Sequence, residues 1–273
     1  MTPGVTFRRA ESRDVRPAYA VFWRSLYDYL HRLTIVDKEK ITDALIEEDW
    51  QRQLAGIQHL WNSAAENWVA VDANGHVVGW ALSVSREGHL ELTHLFVDPK
   101  AQASGIGRGL LSRAFPDARH KSLVATQDTK ALSLYLRSGV NYVTTAAEFV
   151  MIARHVEAES DLVYRPADGS DADVAAITGI EQQILGFRRE VDVRFILRQR
   201  PAWLAMRDGA VVGFAFGVQP RAPGTGSLPA MTGPLPPSIH WTCRPSSTTS
   251  PAKQPKRVSR SSRFKCHSST ASQ

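Results

Sequence analysis

The stretch that most constrains this chain is Leu90–Leu111, LELTHLFVDPKAQASGIGRGLL. From Leu90 to Val97 both alternating sets hold large apolar side chains: Leu90, Leu92 and Phe96 in one, Leu95 and Val97 in the other beside Glu91 and Thr93. A strand that is apolar on both faces has to be covered on both, which predicts a central strand of an α/β sheet. Asp98-Pro99 ends it, because proline has no amide to give to a ladder. Beyond the segment Gln102–Gly107, the residues Ile106, Leu110 and Ala114 recur at helical spacing, and Pro116 closes that helix.

A glycine-bearing turn between a buried strand and a helix is suited to an anion. The first amides of a helix lack carbonyl partners, and the helix dipole favours negative charge at that end. Gly105 and Gly107 have no β-carbon, so a pyrophosphate could come close to the backbone. Other phosphate loops fit less well: there is no G-x-x-x-x-G-K-[ST], and Gly105, Gly107 and Gly109 are spaced G-x-G-x-G rather than G-x-G-x-x-G. On the glycines alone, a tight connection that binds nothing is an equal alternative.

The flanks add a resemblance. LFVDPKAQASGIGRGLL resembles the coenzyme A signature of the GNAT superfamily of N-acetyltransferases, Q/R-x-x-G-x-G/A, with Gln102, Gly105 and Gly107 matching position by position. The resemblance implies acetyl-CoA as cofactor, its pyrophosphate held after Gln102 by the backbone of Ala103, Ser104, Gly105, Ile106, Gly107 and Arg108. It also implies that Leu95, Phe96 and Val97 present backbone groups to the pantetheine arm and the thioester carbonyl. A second stretch, Asp128–Gly139 (DTKALSLYLRSG), resembles the family's N-x-x-A-x-x-L-Y-x-x-x-G-F motif. This brings Asp128 and Ala131 to the cofactor and matches Tyr135 to the tyrosine that protonates the leaving thiolate. Two residues depart from the pattern: Asp128 replaces asparagine, and Val140 replaces an aromatic.

The remaining elements are predicted as follows. Val5–Ala10 reads as a strand, then a helix with Val15, Tyr19, Phe22, Leu26 and Leu30 on its apolar stripe, capped by Ser12 or Asp14. A second helix runs from about Thr42 to Trp61, and the aromatics Tyr27, Tyr29, Trp50 and Trp61 read as core. Strands Asn67–Asp72 and His76–Arg86 flank the turn Ala73-Asn74-Gly75. A short buried strand Ser122–Thr126, a helix capped by Asp128 and stopped by Gly139, and a last strand Asn141–Ile152 follow. That is the GNAT order, and residues 1–154 are expected to form a complete α/β (α+β) GNAT domain with a mixed central sheet flanked by helices.

After a polar bridge, His155–Asp161, the pattern begins again. LVYRPA mirrors VTFRRA, Asp171 is placed to cap a helix with Val174, Ile177 and Ile180, and a further helix covers about Val191–Arg198. Ala202–Arg207, Asp208-Gly209 and Ala210–Val218 mirror the earlier hairpin. Residues 162–218 are thus expected to be the N-terminal half of a second GNAT-like domain, a tandem arrangement left incomplete. From Gln219 to Gln273 proline, serine, threonine and basic residues dominate, so 219–273 is expected to be a disordered tail or the product of a lost reading frame.

The formal net charge of +6 is concentrated in that tail: all 27 acidic residues precede Gln219, and eight of the 33 basic ones follow it. Up to Val218 the chain is slightly acidic, with 25 basic against 27 acidic residues. The basic tail raises nucleic acid as a partner, but the loss of every acid where the repeat needs its fourth strand favours truncation. Cys243 and Cys266 make neither a C-x-x-C pair nor a metal cluster. No apolar run reaches the ~20 residues of a membrane helix and the N-terminus has no signal-peptide core, so a cytoplasmic protein with no membrane partner is expected, a homodimer being open.

Acetyl transfer to an amine needs a held thioester, a base for the amine and an acid for the thiolate. Tyr135 is the candidate acid, since phenol stays protonated at neutral pH. Glu91 is the candidate base and His94 its rival; a bulge in their strand would decide which faces the cleft. The amine is expected on a small molecule or a protein. Two readings compete with an N-acetyltransferase: a non-catalytic acyl-CoA-binding module, and a nucleic-acid binder acting through the tail.

Overall fold

The computed structural model describes residues 4–37, 42–145 and 160–217, apart from the side chain of Asp43. The expected tail 219–273, the bridge to residue 159 and most of the strand expected at Asn141–Ile152 lie outside these. Residues 141–145 are described and carry no strand.

The first part is built on a five-stranded sheet, β1 (Thr6–Arg9), β2 (Ala64–Val71), β3 (Val77–Arg86), β4 (His89–Val97) and β5 (His120–Leu123), in that spatial order. The first three junctions are antiparallel, and β5 runs parallel to β4, so the sheet is mixed. Helices α1 (Val15–Arg32) and α2 (Asp43–Asn62) cover one face, and α3 (Ile106–Ala114) and α4 (Thr129–Arg137) the other. Tyr19, Phe22, Trp23, Tyr27, Leu30, Trp50 and Trp80 fill the first layer; Leu90, Leu92, Ile106, Leu110 and Tyr135 fill the second. Tyr29 and Trp61 pack half-buried against the first layer, as expected of core aromatics.

Three local expectations are corrected. Neither Ser12 nor Asp14 caps α1: Asp14 is drawn away by a bidentate pair with Arg8 (2.6 and 2.9 Å) and by the Glu11 amide (2.8 Å). The short strand lies at His120–Leu123, not Ser122–Thr126, and is exposed; among the described residues it is an edge paired with β4 alone. Ser170, not Asp171, caps the fifth helix, whose first residue is Asp171.

The second part repeats the order strand, helix, helix, strand, strand: β6 (Val163–Pro166), α5 (Asp171–Leu185), α6 (Glu190–Gln199), β7 (Ala202–Arg207) and β8 (Ala210–Phe216). Its sheet is β6-β7-β8, fully antiparallel, over a core of Val174, Ile177, Val193, Leu204 and Phe214. Here Arg165 makes the same bidentate pair with Asp173, while the Asp168 amide donates to the same carboxylate (2.8 Å). The strand-to-helix corner thus recurs in chemistry as well as in order.

A buried ion pair joins the two parts. Arg86 of β3 donates from Nε and Nη2 to both oxygens of Asp192 (2.8 and 2.7 Å), and His59 of α2 meets the same carboxylate at 2.7 Å. Burial alone would raise the Asp192 pKa, but the hydrogen bonds and charges of Arg86 and His59 hold it below its usual value. A depressed carboxylate contributes stability that is complete above the unfolded pKa of about 3.9 and is lost as pH falls through the folded one. Removing one partner of a buried pair typically costs about 3–5 kcal/mol. Asp192→Ala is expected to lower the unfolding free energy at pH 7, and with it the denaturation midpoint, by about 3–5 kcal/mol and to flatten acid unfolding below pH ~4. An unchanged midpoint would show that the pair contributes nothing net.

Gly109 illustrates the packing between α3 and β1. A β-carbon there would come within 3.0 Å of three ring carbons of Phe7. Overpacking costs about 1–3 kcal/mol, offset in part by the ~1 kcal/mol helix propensity of alanine. Gly109→Ala is expected to lose about 1 kcal/mol in urea unfolding; a gain in stability would mean the ring moves aside freely.

Candidate active site

β4 is bulged in its middle. Leu82 of β3 faces His94 and the next residue, Ser83, faces Leu92, so Thr93 is the extra residue. The bulge changes side-chain parity as argued in outline from the sequence. Leu90, Leu92, Leu95 and Val97 all lie in the α3/α4 layer, whereas Phe96 packs in the α1/α2 layer, edge-on to Phe22 at 4.8 Å. Placing Phe96 with Leu90 and Leu92 is therefore corrected.

β5 accompanies β4 only from His89 to Leu92. From Thr93 onward, β4 has β3 on one side and no strand on the other among the described residues. Near its end, the Val97 carbonyl accepts from Ser25 Oγ (2.6 Å) and Gln102 Nε2 (3.2 Å). Gln102 thus ties the loop back to the strand, and its Oε1 takes a hydrogen bond from Lys130 (3.3 Å).

The loop itself turns through two left-handed residues. After a turn of 3-10 helix at Pro99–Ala101, Ala103 (φ 61°) and Gly105 (φ 85°) are both left-handed. Gly105 is the N-cap of α3, and no side chain caps that helix. A β-carbon at Gly105 would touch nothing within 4 Å, so the backbone there faces open space. Gly107 is different: a β-carbon would meet Leu134 at 3.4 Å, which makes it a close-packing position between α3 and α4. Ile106 is buried beneath the loop.

Between the start of α3 and α4 lies a cleft of about 580 Å³ lined by Arg108, Thr129, Lys130, Ser133, Leu134, Arg137 and Ser138. Three of these are cationic. Lys130, Ser133 and Arg137 were missed in the sequence, although Lys130 and Arg137 lie seven residues apart on one helix, which is one face.

Asp128 caps α4 through the Lys130 and Ala131 amides (2.9 and 3.1 Å) and also binds Arg32 at 2.7 Å. Its carboxylate is thereby committed to structure, while Ala131 packs in the core layer. Tyr135 is buried in the same layer; burial, helped by the Asp128 charge, pushes its phenol up to about 12. It stays protonated at every physiological pH.

His94 is enclosed by Trp80 (4.2 Å), Phe22 and Phe96 and is 1% exposed; its Nδ1 meets Thr93 Oγ1, and its Nε2 has no hydrogen-bond partner among the described residues. Burial drives its pKa down to about 3, so it is a neutral core imidazole. Glu91 is half-buried, and burial raises its pKa, with Arg189, Asp192 and Arg86 as its charged neighbours. Among the described residues no group of three or more His, Cys, Asp or Glu could hold a metal ion, and no helix is long and apolar enough to cross a membrane.

A family model described as the acetyltransferase (GNAT) family matches residues 23–140, from within α1 to just past α4. This part of the chain, an α/β fold with a mixed sheet flanked by helices, is thus similar to GNAT acetyltransferase domains. Members of that family are acyltransferases that generally use acetyl-CoA. A Pyrococcus horikoshii protein assigned as an acetyltransferase shares the fold, with a TM-score of 0.53 at 13% identity over 80% of this chain and 69% of its own. The ribosomal-protein-S18-alanine N-acetyltransferase of Escherichia coli gives 0.37 at 20% identity, over 51% and 79%. An N-acetyltransferase from Thermoplasma acidophilum, in complex with coenzyme A, gives 0.39 at 17%, over 52% and 92%. No curated protein sequence matches.

Proposed function

We propose, from this GNAT-like domain, an acetyl-CoA-dependent N-acetyltransferase acting on a primary amine of a small molecule or a protein. The observation that carries the reading is the uncapped start of α3, entered through two left-handed residues and opening on the cationic cleft. The residues present fit an acyl-CoA: helix-start amides that no side chain caps and Arg108, Lys130 and Arg137 suit a diphosphate, and the β4 edge beyond Leu92 suits an extended amide-bearing arm.

Acetyl-CoA, when bound, supplies an activated acyl carbon that an amine can attack directly. The chain's own residues hold, orient and move protons. The backbone from Ala103 to Arg108 takes the diphosphate, with Gly105 leaving room and Gln102 fixing the loop to β4. Leu95–Val97 lie along the open β4 edge; Asp98 and, by the alternation of the strand, Phe96 turn their backbone groups to β3, and the Val97 carbonyl is already engaged, so the groups at Leu95 are the ones to receive the arm. Tyr135 gives its phenolic proton to the leaving sulfur. Glu91 takes the amine proton, directly or through water, while His94 is set aside as a core residue.

Residues 1–154 are read as the working domain and 162–218 as half of a second one without a cofactor loop. The recurring Arg–carboxylate corner supports this, as does a structural match extending over more of the chain than residues 1–154. Coenzyme A release across a panel of small amines and lysine peptides tests the activity. Binding of acetyl-CoA without release for any amine would instead favour the non-catalytic module.

A further inference from the structure

The segment joining α5 to α6 lies across the start of β4, where Glu91 stands. Phe187 stacks on His89 at 4.2 Å, and the Arg188 amide donates to Glu87 Oε2 at 2.8 Å. Phe195, one turn beyond Asp192, stacks on His59 at 4.1 Å. Together with the Arg86–Asp192 pair, these contacts fix the start of α6 against α2 and the hairpin end of β3 and β4, where Glu91 has Arg189, Asp192 and Arg86 as its charged neighbours.

The charges gathered there come from five elements. Glu91 belongs to β4 and Arg86 to β3; Arg189 and Asp192 open α6. Behind them His59 of α2 holds Asp192, and Glu181 of α5 accepts from Arg189 Nε and Nη2 at 3.0 and 2.5 Å. Glu181 Oε2 is buried without a partner. Three carboxylates thus meet two guanidiniums and the His59 imidazole, and Glu91 is the carboxylate with no ion pair of its own among the described residues.

We propose that Arg189, supplied by the second half of the chain, is a positioning residue for Glu91, setting the proton affinity of the carboxyl that serves the first half. The half-repeat is then part of the working site rather than an idle remnant. The guanidinium opposes protonation of Glu91, and Glu181 tempers it by pairing with the same guanidinium. This rests on the reading of Glu91 as the base.

The test uses the full chain and two readouts. The acid limb of the pH profile of kcat/KM reports the free enzyme's base; isotope-edited infrared titration of the Glu91 carboxyl needs no turnover. Loss of a nearby positive charge raises a carboxyl pKa, so Arg189→Gln is expected to move the limb and the infrared titration up by about one pH unit. On the limb this is about a tenfold lower rate, with KM for acetyl-CoA within about twofold. Arg189→Lys should restore the wild-type limb, and Glu181→Gln should move it down. A purely structural role would lower activity at all pH values without moving the limb. The proposal is overturned if the Glu91 titration is unmoved in folded Arg189→Gln and Glu181→Gln, or if Glu91→Gln retains the limb. If no amine is acetylated, the proposed function fails, while the infrared shift still decides the coupling.

Discussion

Tyr135→Phe is expected to lower turnover about 10²- to 10⁴-fold, the usual range for a lost general acid. The change removes one hydroxyl from a side chain already buried among Leu134, Ala131 and the β4 leucines, so almost no apolar packing is lost. A phenol held near 12 is a weak acid toward water, but it is matched to a thiolate that is strongly basic only as the C–S bond breaks. Acetyl-CoA affinity should stay within about twofold, because the proton is transferred after binding. Stopped-flow measurement of coenzyme A release, with chemistry rate-limiting, separates the two. A rate within a factor of two of wild type would make Tyr135 a core residue only.

Much of this site was legible because its signals are local. Gly105 marks the loop by a left-handed backbone, Gln102 ties it to β4 by its side chain, and Asp128 and Gly139 mark the two ends of α4 by capping chemistry. Strand and helix order followed from periodicity, which survives without any tertiary information. What could not be read depends on partners distant in sequence. Asp14 looks like a helix cap until Arg8 claims it across the corner. The parity of Phe96 depends on a bulge set by the register with β3, and His94 becomes a neutral core ring only once Trp80, Phe22 and Phe96 close around it. The Glu91 cluster joins residues about a hundred positions apart, and no spacing along the chain announces it.

The second large effect concerns the loop. Gly105→Asn keeps a residue tolerant of the left-handed region while placing a side chain in the open space above the α3 amides. Adding Gly107→Val fills the approach between Val97 and Leu134, where a β-carbon already stands in ordinary contact. Hydrogen bonds to a charged group contribute about 1.5–3 kcal/mol each, so displacing a diphosphate from two amides should weaken binding by about 100-fold or more. Circular dichroism and the thermal midpoint establish that the double variant is folded.

Titration calorimetry of acetyl-CoA into the full chain and into this double variant bears most directly on the site. One equivalent per chain is predicted for the wild type, with binding to the folded Gly105→Asn/Gly107→Val variant weakened at least about 100-fold. Unchanged affinity in the folded variant, two equivalents per chain, or no binding to the wild type would contradict a single cofactor site at the start of α3.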